Sequence, residues 1–229
     1  MGNHHRTCAL MAGVSNLRPP KPKINTVWDV DVLLKYIKSL PQIYSQTTRQ
    51  TTLKTATLLA LTAISRANEL HKLDLTWLIS KQGSKCFQIP GRVKHSRQGK
   101  PNPPIVFVEF KHDPDLCPVK AIDAYINMTK PWREEQSQTK LFLSTLAPHK
   151  EVAKTTISNW IKETLNLAGI QGFTGHSVRA SASSKAAGKG LSLDTILGRG
   201  NWKSRSVWEK HYHKPTNLPA SQFQEVVLQ

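Results

Sequence analysis

Apolar residues recur at three- and four-residue intervals from Trp28 through Val32, Leu33, Tyr36 and Ile37 to Leu40, the spacing of one helix face. Thr26 is the expected N-cap and Pro41 the stop. A second helix is predicted over residues 48–68, with Leu53, Thr57, Ala60, Leu61 and Ile64 on one side. The period then shortens. Residues 73–79, 86–89 and 105–110 are β-rich runs parted by Gly83-Ser84 and by the polar stretch 91–104. They predict a three-stranded antiparallel sheet with a long basic loop between its second and third strands. Past Asp113-Pro114 the helical spacing returns over residues 118–129, 155–168, 175–188 and 193–197. The third of these is rich in small residues (Ala180, Ala182, Ala186, Ala187). No internal repeat is present. The expected class is α+β, mostly α-helical with one small sheet.

This pattern divides the chain into a basic, irregular N-terminal segment or linker (1–25), one domain (26–215) and a C-terminal tail (216–229). Within the first segment, RPPKPK at 18–23 reads as an extended basic linker. With 229 residues and 38% hydrophobic content the chain has enough to fill one core. No apolar run approaches the roughly 18 residues of a membrane span. The N-terminus lacks the apolar core of a secretory signal. Cys8, Cys86 and Cys117 form no CxxC pair, which argues against a disulfide framework and a zinc cluster. An intracellular or nuclear, soluble protein is expected.

Charge changes the picture most. Thirty-two Lys and Arg against fifteen Asp and Glu leave a net +17, a self-repulsion that a polyanion would offset. Residues 51–110 carry nine basic and three acidic side chains, and 75–108 carry no acidic one. Lys81, Lys85, Arg92, Lys94, Arg97 and Lys100 all fall in that second stretch. A solvated Lys-rich surface is the plain reading of any one basic run; over the whole chain, nucleic-acid contact is the better one.

No Gly-rich phosphate loop, GxSxG or HExxH motif occurs, and no spaced Cys/His set would hold a metal. His211-Tyr212-His213 lacks an acidic or Cys partner nearby, so it is not read as a metal site. What remains is a set of cations and a phenol. Arg66 and Glu69 stand at i, i+3 at the end of the second helix, and Lys94 lies in the basic loop. His176 and Arg179 share a helix face in GHSVR. Trp202 and Tyr212 come later in the chain. Each alone has an ordinary structural role, as a helical ion pair, a solvated lysine or a core indole.

In order, Arg66, Lys94, His176-x-x-Arg179, Trp202 and Tyr212 resemble the catalytic set of the tyrosine recombinases, the family of phage integrases. Longer stretches are similar to the recombinase of DIRS-type retrotransposons: TVWDVDVLLKYIKSLP, LLALTAISRANELHKLDL, LCPVKAIDAYINMT, LFLSTLAPHKEV, GHSVRASASSKAAGKGLSL and WKSRSVWEKHYHKP, within about residues 18–215. The resemblance implies DNA cleavage and rejoining without metal, ATP or other cofactor. Tyr212 would be the nucleophile, and Arg66 and Arg179 the phosphate clamp. Lys94 would be the general acid, His176 an acid/base or donor, Trp202 a donor, and Glu69 an orienting group. Lys100 and Arg97 compete with Lys94 for the acid role. Lys81, Arg92, Arg97, Lys100, Lys203 and Arg205 are the expected DNA contacts. Trp208 and His211 are expected to buttress Tyr212. The implied partner is double-stranded DNA, bound by a homo-oligomer, a tetramer in this family.

Two features depart from the family pattern. The family's N-terminal DNA-clamping domain is expected to be absent or reduced to its linker. The tail offers only Phe223, Val226, Val227 and Leu228 for docking on a neighbouring copy. A catalytically silent DNA-binding module is therefore the alternative reading. A basic RNA-binding protein lacks any stacking motif to recommend it.

Overall fold

The computed structural model describes residues 5–17, 26–91, 99 and 101–213. Helix α1 (His5–Leu17) lies in the segment expected to be irregular. It has no buried apolar stripe, since Leu10, Met11, Val14 and Leu17 are all exposed. Its alanine, leucine and methionine content favours helix by propensity instead. The RPPKPK stretch and the tail beyond residue 213 lie outside the described residues.

The domain proper begins with α2 (Val30–Ser39). Asp29 rather than Thr26 is the N-cap, its carboxylate accepting from Asp31 N at 2.8 Å. The helix stops at Leu40, before Pro41, and buries Val30, Leu33 and Ile37. Next, α3 (Thr48–Ala63) opens with a capping box between Thr47 and Gln50. It is buried almost all round, because its threonines and alanines let neighbours approach every side. Helices α5 (Pro118–Met128), α7 (Lys154–Leu167) and α8 (Ser177–Gly188) pack against it.

The predicted helix over 48–68 is interrupted. Ile64 adopts a left-handed conformation (φ 50°, ψ 35°) that ends α3, and α4 (Ala67–His71) starts afresh after Arg66. For a β-branched residue this costs about 1–2 kcal/mol. Burial of the Ile64 side chain against Ile196, Trp202 and Trp208 offsets that cost.

The sheet has the expected order β1-β2-β3, antiparallel throughout: β1 (Leu78–Lys81), β2 (Ser84–Phe87) and β3 (Ile105–Val108). Leu78 pairs with Phe87 and Phe87 with Ile105, so the β2–β3 connection leaves from that end of the sheet. Phe87 and Phe107 meet edge to face in the core at 6.2 Å. The first strand starts five residues later than expected, because Asp74 caps a 3-10 turn over Leu75–Trp77.

Two short helices escaped the periodicity: α6 (Lys130–Gln136) and α10 (Arg205–His211), each too short to show a stripe. Helix α9 (Leu193–Gly200) precedes α10. The main core joins α2, α3, the sheet, α5 and α7, with Val178 from α8. A second, smaller cluster of Ile64, Ile196, Trp202 and Trp208 lies beside it, packed against Ala182, Ala186 and Ala187 of α8 and against Tyr212. Among the described residues no helix is long and apolar enough to cross a membrane, and the three cysteines are unlinked.

Candidate functional site

The seam between the two clusters carries the polar residues. The break after α3 sets Arg66 at the N-cap of α4, part-buried. There its backbone N–H donates to Glu69 Oε2 at 2.8 Å, and its Nη1 to Glu69 Oε1 at 2.9 Å. The break thus sets the Arg66 backbone and guanidinium against one carboxylate.

Arg179, in the first turn of α8, is 1% exposed. Its Nη1 donates to the carbonyl of Ile64 and its Nη2 to the carbonyl of Gly200 at 2.8 Å. The same Nη1 stands 3.9 Å from Glu69 Oε2, so one carboxylate serves both guanidinium groups. Arg179 Nε is buried without a hydrogen-bond partner among the described residues. Burial, and then the neighbouring Arg66 charge, lower the Arg179 pKa to about 10.

Trp202 comes directly after Gly200-Asn201, where Asn201 (φ 50°) closes α9 in the left-handed conformation. Gly200 has to be glycine, because a Cβ there would fall 2.0 Å from the Trp202 ring. The indole lies under Arg179, its centroid 4.7 Å from the guanidinium carbon, and 4.8 Å from the Tyr212 ring. Tyr212 caps α10, its N–H donating to Trp208 O at 2.7 Å and its carbonyl accepting from Ser184 Oγ at 3.2 Å. The ring sits 5.3 Å from the Arg179 guanidinium and 5.9 Å from the His176 ring. Burial pushes the phenol up, but the charges of and hydrogen bonds from Arg179 and Arg66 outweigh it and hold the pKa below the usual tyrosine value.

His176 is held at the start of α8 by two close approaches. Gly175 leaves no room for a Cβ, which would lie 2.7 Å from Ser158 O, and Trp28 Nε1 donates to Ser177 Oγ at 2.8 Å. Arg66, His176, Asn201, Trp202, Lys203, Val207, His211 and Tyr212 line one open cleft of about 510 Å³.

Five of the six expected catalytic residues, together with Glu69, therefore converge; the sixth, Lys94, lies outside the described residues, as do Arg92, Arg97 and Lys100. Among the expected DNA contacts, Lys203 lines the cleft. Lys81 does not join it: it stands at the β1–β2 turn, the far end of the sheet from the basic loop. Arg205 is engaged with Glu209 at 2.6 Å on the surface of α10. Trp208 is buried and stacks on His213 at 4.4 Å, and His211 borders the cleft. Asn201 and Val207 are cleft residues that the sequence did not single out. The Gly-Asn pair before Trp202 was the available signal, since a helix C-terminus of that kind fixes the direction of the residue after it. The arrangement sets two guanidinium charges beside a phenol of lowered pKa at an open cleft, a setting that suits an oxyanion.

The profile of the phage integrase family matches residues 30–217. No curated protein matches the sequence. Among solved structures, XerA recombinase superposes with a TM-score of 0.59 at 21% identity, covering 93% of this chain and 67% of that one. XerH site-specific recombinase, bound to its difH substrate in a pre-cleavage complex, gives 0.58 at 13% identity, over 92% and 55%. A lambda integrase tetramer bound to a Holliday junction gives 0.51 at 14%, over 94% and 59%. The chain thus spans between 55% and 67% of the length of these recombinases, and at such identities they share its fold. The family profile covers most of the domain, and the chain belongs to the phage integrase family, the tyrosine recombinases.

Proposed function

We propose that this chain cleaves and rejoins double-stranded DNA through a 3′-phosphotyrosyl intermediate. The observation that carries the reading is that Arg66, His176, Trp202 and Tyr212, from segments far apart in sequence, line one cleft, with Arg179 buried against the Trp202 and Tyr212 rings. Arg66, on the cleft wall, grips the non-bridging oxygens of the scissile phosphate, and Arg179 joins it as its Nη atoms leave the carbonyls of Ile64 and Gly200. Tyr212 Oη forms a bond to phosphorus as the bond to the 5′-oxygen breaks. The phenolic proton passes to His176, and Lys94 of the basic loop protonates the departing 5′-oxygen. Lys100 or Arg97 is the substitute for Lys94. Glu69 orients both arginines, and Trp202 walls the phosphate site beneath Arg179. The link preserves the energy of the phosphodiester, so the 5′-hydroxyl can return without ATP.

An ordinary phenol is only about one part in a thousand ionised at pH 7, so the lowering of Tyr212 by its arginines supports the nucleophile assignment. By analogy with the lambda integrase tetramer on its Holliday junction, the working form is a homotetramer on DNA. The stretches LLALTAISRANELHKLDL and GHSVRASASSKAAGKGLSL support an origin in a DIRS-type retrotransposon recombinase, acting on nuclear DNA.

The test is covalent capture on a library of nicked duplexes of randomised sequence. The unsubstituted protein is expected to form an adduct. Tyr212→Phe is expected to form none while binding DNA as tightly. Equal capture by the Phe variant would remove Tyr212 from the nucleophile role. Salt-sensitive binding with no adduct from the unsubstituted protein would make the chain a DNA-binding module.

A further inference from the structure

Ser184 has no place in the mechanism above, yet it links Tyr212 to the helix that carries two of its neighbours. It lies on α8, beyond His176 and Arg179, and is 7% exposed. The adjacent Ser183 spends its hydroxyl inside the helix, Oγ donating to Arg179 O at 2.7 Å one turn back. Ser184 Oγ instead reaches across to α10 and donates to the carbonyl of Tyr212 at 3.2 Å.

That carbonyl belongs to the residue that caps α10, past the last turn, where a helix leaves its acceptors without intrahelical donors. The buried residue of α10 is Trp208, seated in the second cluster. A seven-residue helix held by one buried side chain can still tilt about it. A second point of attachment, at Tyr212 itself, removes that freedom. Ala182, Ala186 and Ala187 of α8 pack against the same cluster, and their small side chains let α10 come within reach of a serine hydroxyl. The helix that receives the tether also holds Arg179 and His176, at 5.3 Å and 5.9 Å from the Tyr212 ring.

We infer that Ser184 is a positioning residue that pins the main chain of Tyr212 to α8 and so keeps the phenol against Arg179 and Arg66. Its part in cleavage rests on the reading of Tyr212 as the nucleophile. Alanine at this position removes the donor with little change in volume. Threonine keeps it, and a cavity of about 200 Å³ between α8 and the start of α2, which Ser184 lines, has room for the added methyl. A displacement of about 1 Å at a reacting group can cost about a hundredfold in rate. DNA binding, which rests on many phosphate contacts, should persist.

The experiment has two readouts: the capture rate at saturating nicked DNA, and the tyrosinate absorbance titration of the free protein, with the Tyr212 step isolated by difference against Tyr212→Phe. The ionisable groups about the ring are Arg179 and His176 on α8, Arg66 with Glu69 at the start of α4, and Lys203 and His211 along the cleft. A phenol released from the arginines titrates nearer its ordinary value of about 10. Ser184→Ala is expected to be captured about ten- to a hundredfold more slowly, with DNA affinity retained, and to titrate at higher pH. Ser184→Thr is expected to restore both, and Ser183→Ala to change neither. A Ser184→Ala variant with unmoved titration or undiminished rate, a Ser184→Thr variant no better than it, or a Ser183→Ala variant equally impaired overturns the proposal. If Ser184→Ala shifts the titration and Ser184→Thr restores it while the unsubstituted protein forms no adduct, the tether stands and the nucleophile reading fails.

Discussion

Tyr212 and Arg179 are each shifted by the other's company, and both shifts have measurable signs. The phenol sits below its ordinary value because Arg179 and Arg66 outweigh its burial. The capture rate should therefore climb with pH above neutrality and level off below about pH 10, the reference value. A plateau at or above that value would contradict the arrangement. The folded state releases the phenolic proton more readily than the unfolded chain, so Tyr212 adds stability only as pH rises through its folded pKa toward 10, and none at neutrality. Arg179, brought down to about 10, holds its proton less tightly when folded. Its stabilising contribution lies above the unfolded pKa and is lost as pH falls through about 10, so at pH 7 the buried cation is a net cost. On the proposed mechanism, an oxyanion bound beside the two guanidinium groups would relieve it. Inorganic phosphate at a hundred times its Kd is accordingly expected to add about 2.7 kcal/mol to stability, read as a rise in Tm. Arg66→Ala should abolish the rise. The six expected catalytic positions came from the resemblance to the tyrosine recombinases, since each cation, donor or phenol taken alone has an ordinary structural role. The cleft residues Asn201 and Val207 could not be singled out by their chemistry: neither carries a charge or a reactive group, and only the fold brings them beside Tyr212.

At the scale of elements, the periodic segments were legible and their ends were not. The amphipathic helix α2 announces itself, although Asp29 rather than Thr26 caps it. The sheet was recoverable from three β-branched runs, but its first strand starts late because Asp74 takes the preceding residues into a 3-10 turn. The break at Ile64 is the instructive miss. Nothing in Ala63-Ile64-Ser65 signals an interruption by propensity, since isoleucine disfavours positive φ; burial in a neighbouring cluster imposes it. Two glycines control how closely elements approach around the site. Gly200→Ala must displace the Trp202 ring, and Gly175→Ala must push α8 off the α7 backbone. Each should cost about 1–3 kcal/mol by denaturant titration, with the Gly200 variant also losing capture activity through Trp202. An unchanged denaturation midpoint in either would mean that the contact is looser than the geometry indicates.

For the whole molecule, a net charge of +17 predicts DNA binding that weakens steeply with salt. Lys203→Ala should reduce the slope of log K against log[salt] by about one, whereas Lys81→Ala, at the other end of the sheet, should leave cleft binding unchanged. The division into two cores has a further effect. Arg66 is mounted on the main body, but Trp202 and Tyr212 ride on the second cluster, which has four buried residues among those described, Ile64 at the end of α3 being one of them. Such a small unit opens at lower free energy than the rest. Amide hydrogens of α9 and α10 should exchange with deuterium well before those of α3 under mild denaturant. Tyr212 would then be withdrawn from Arg66 and returned by local opening, while the α3 scaffold stays folded.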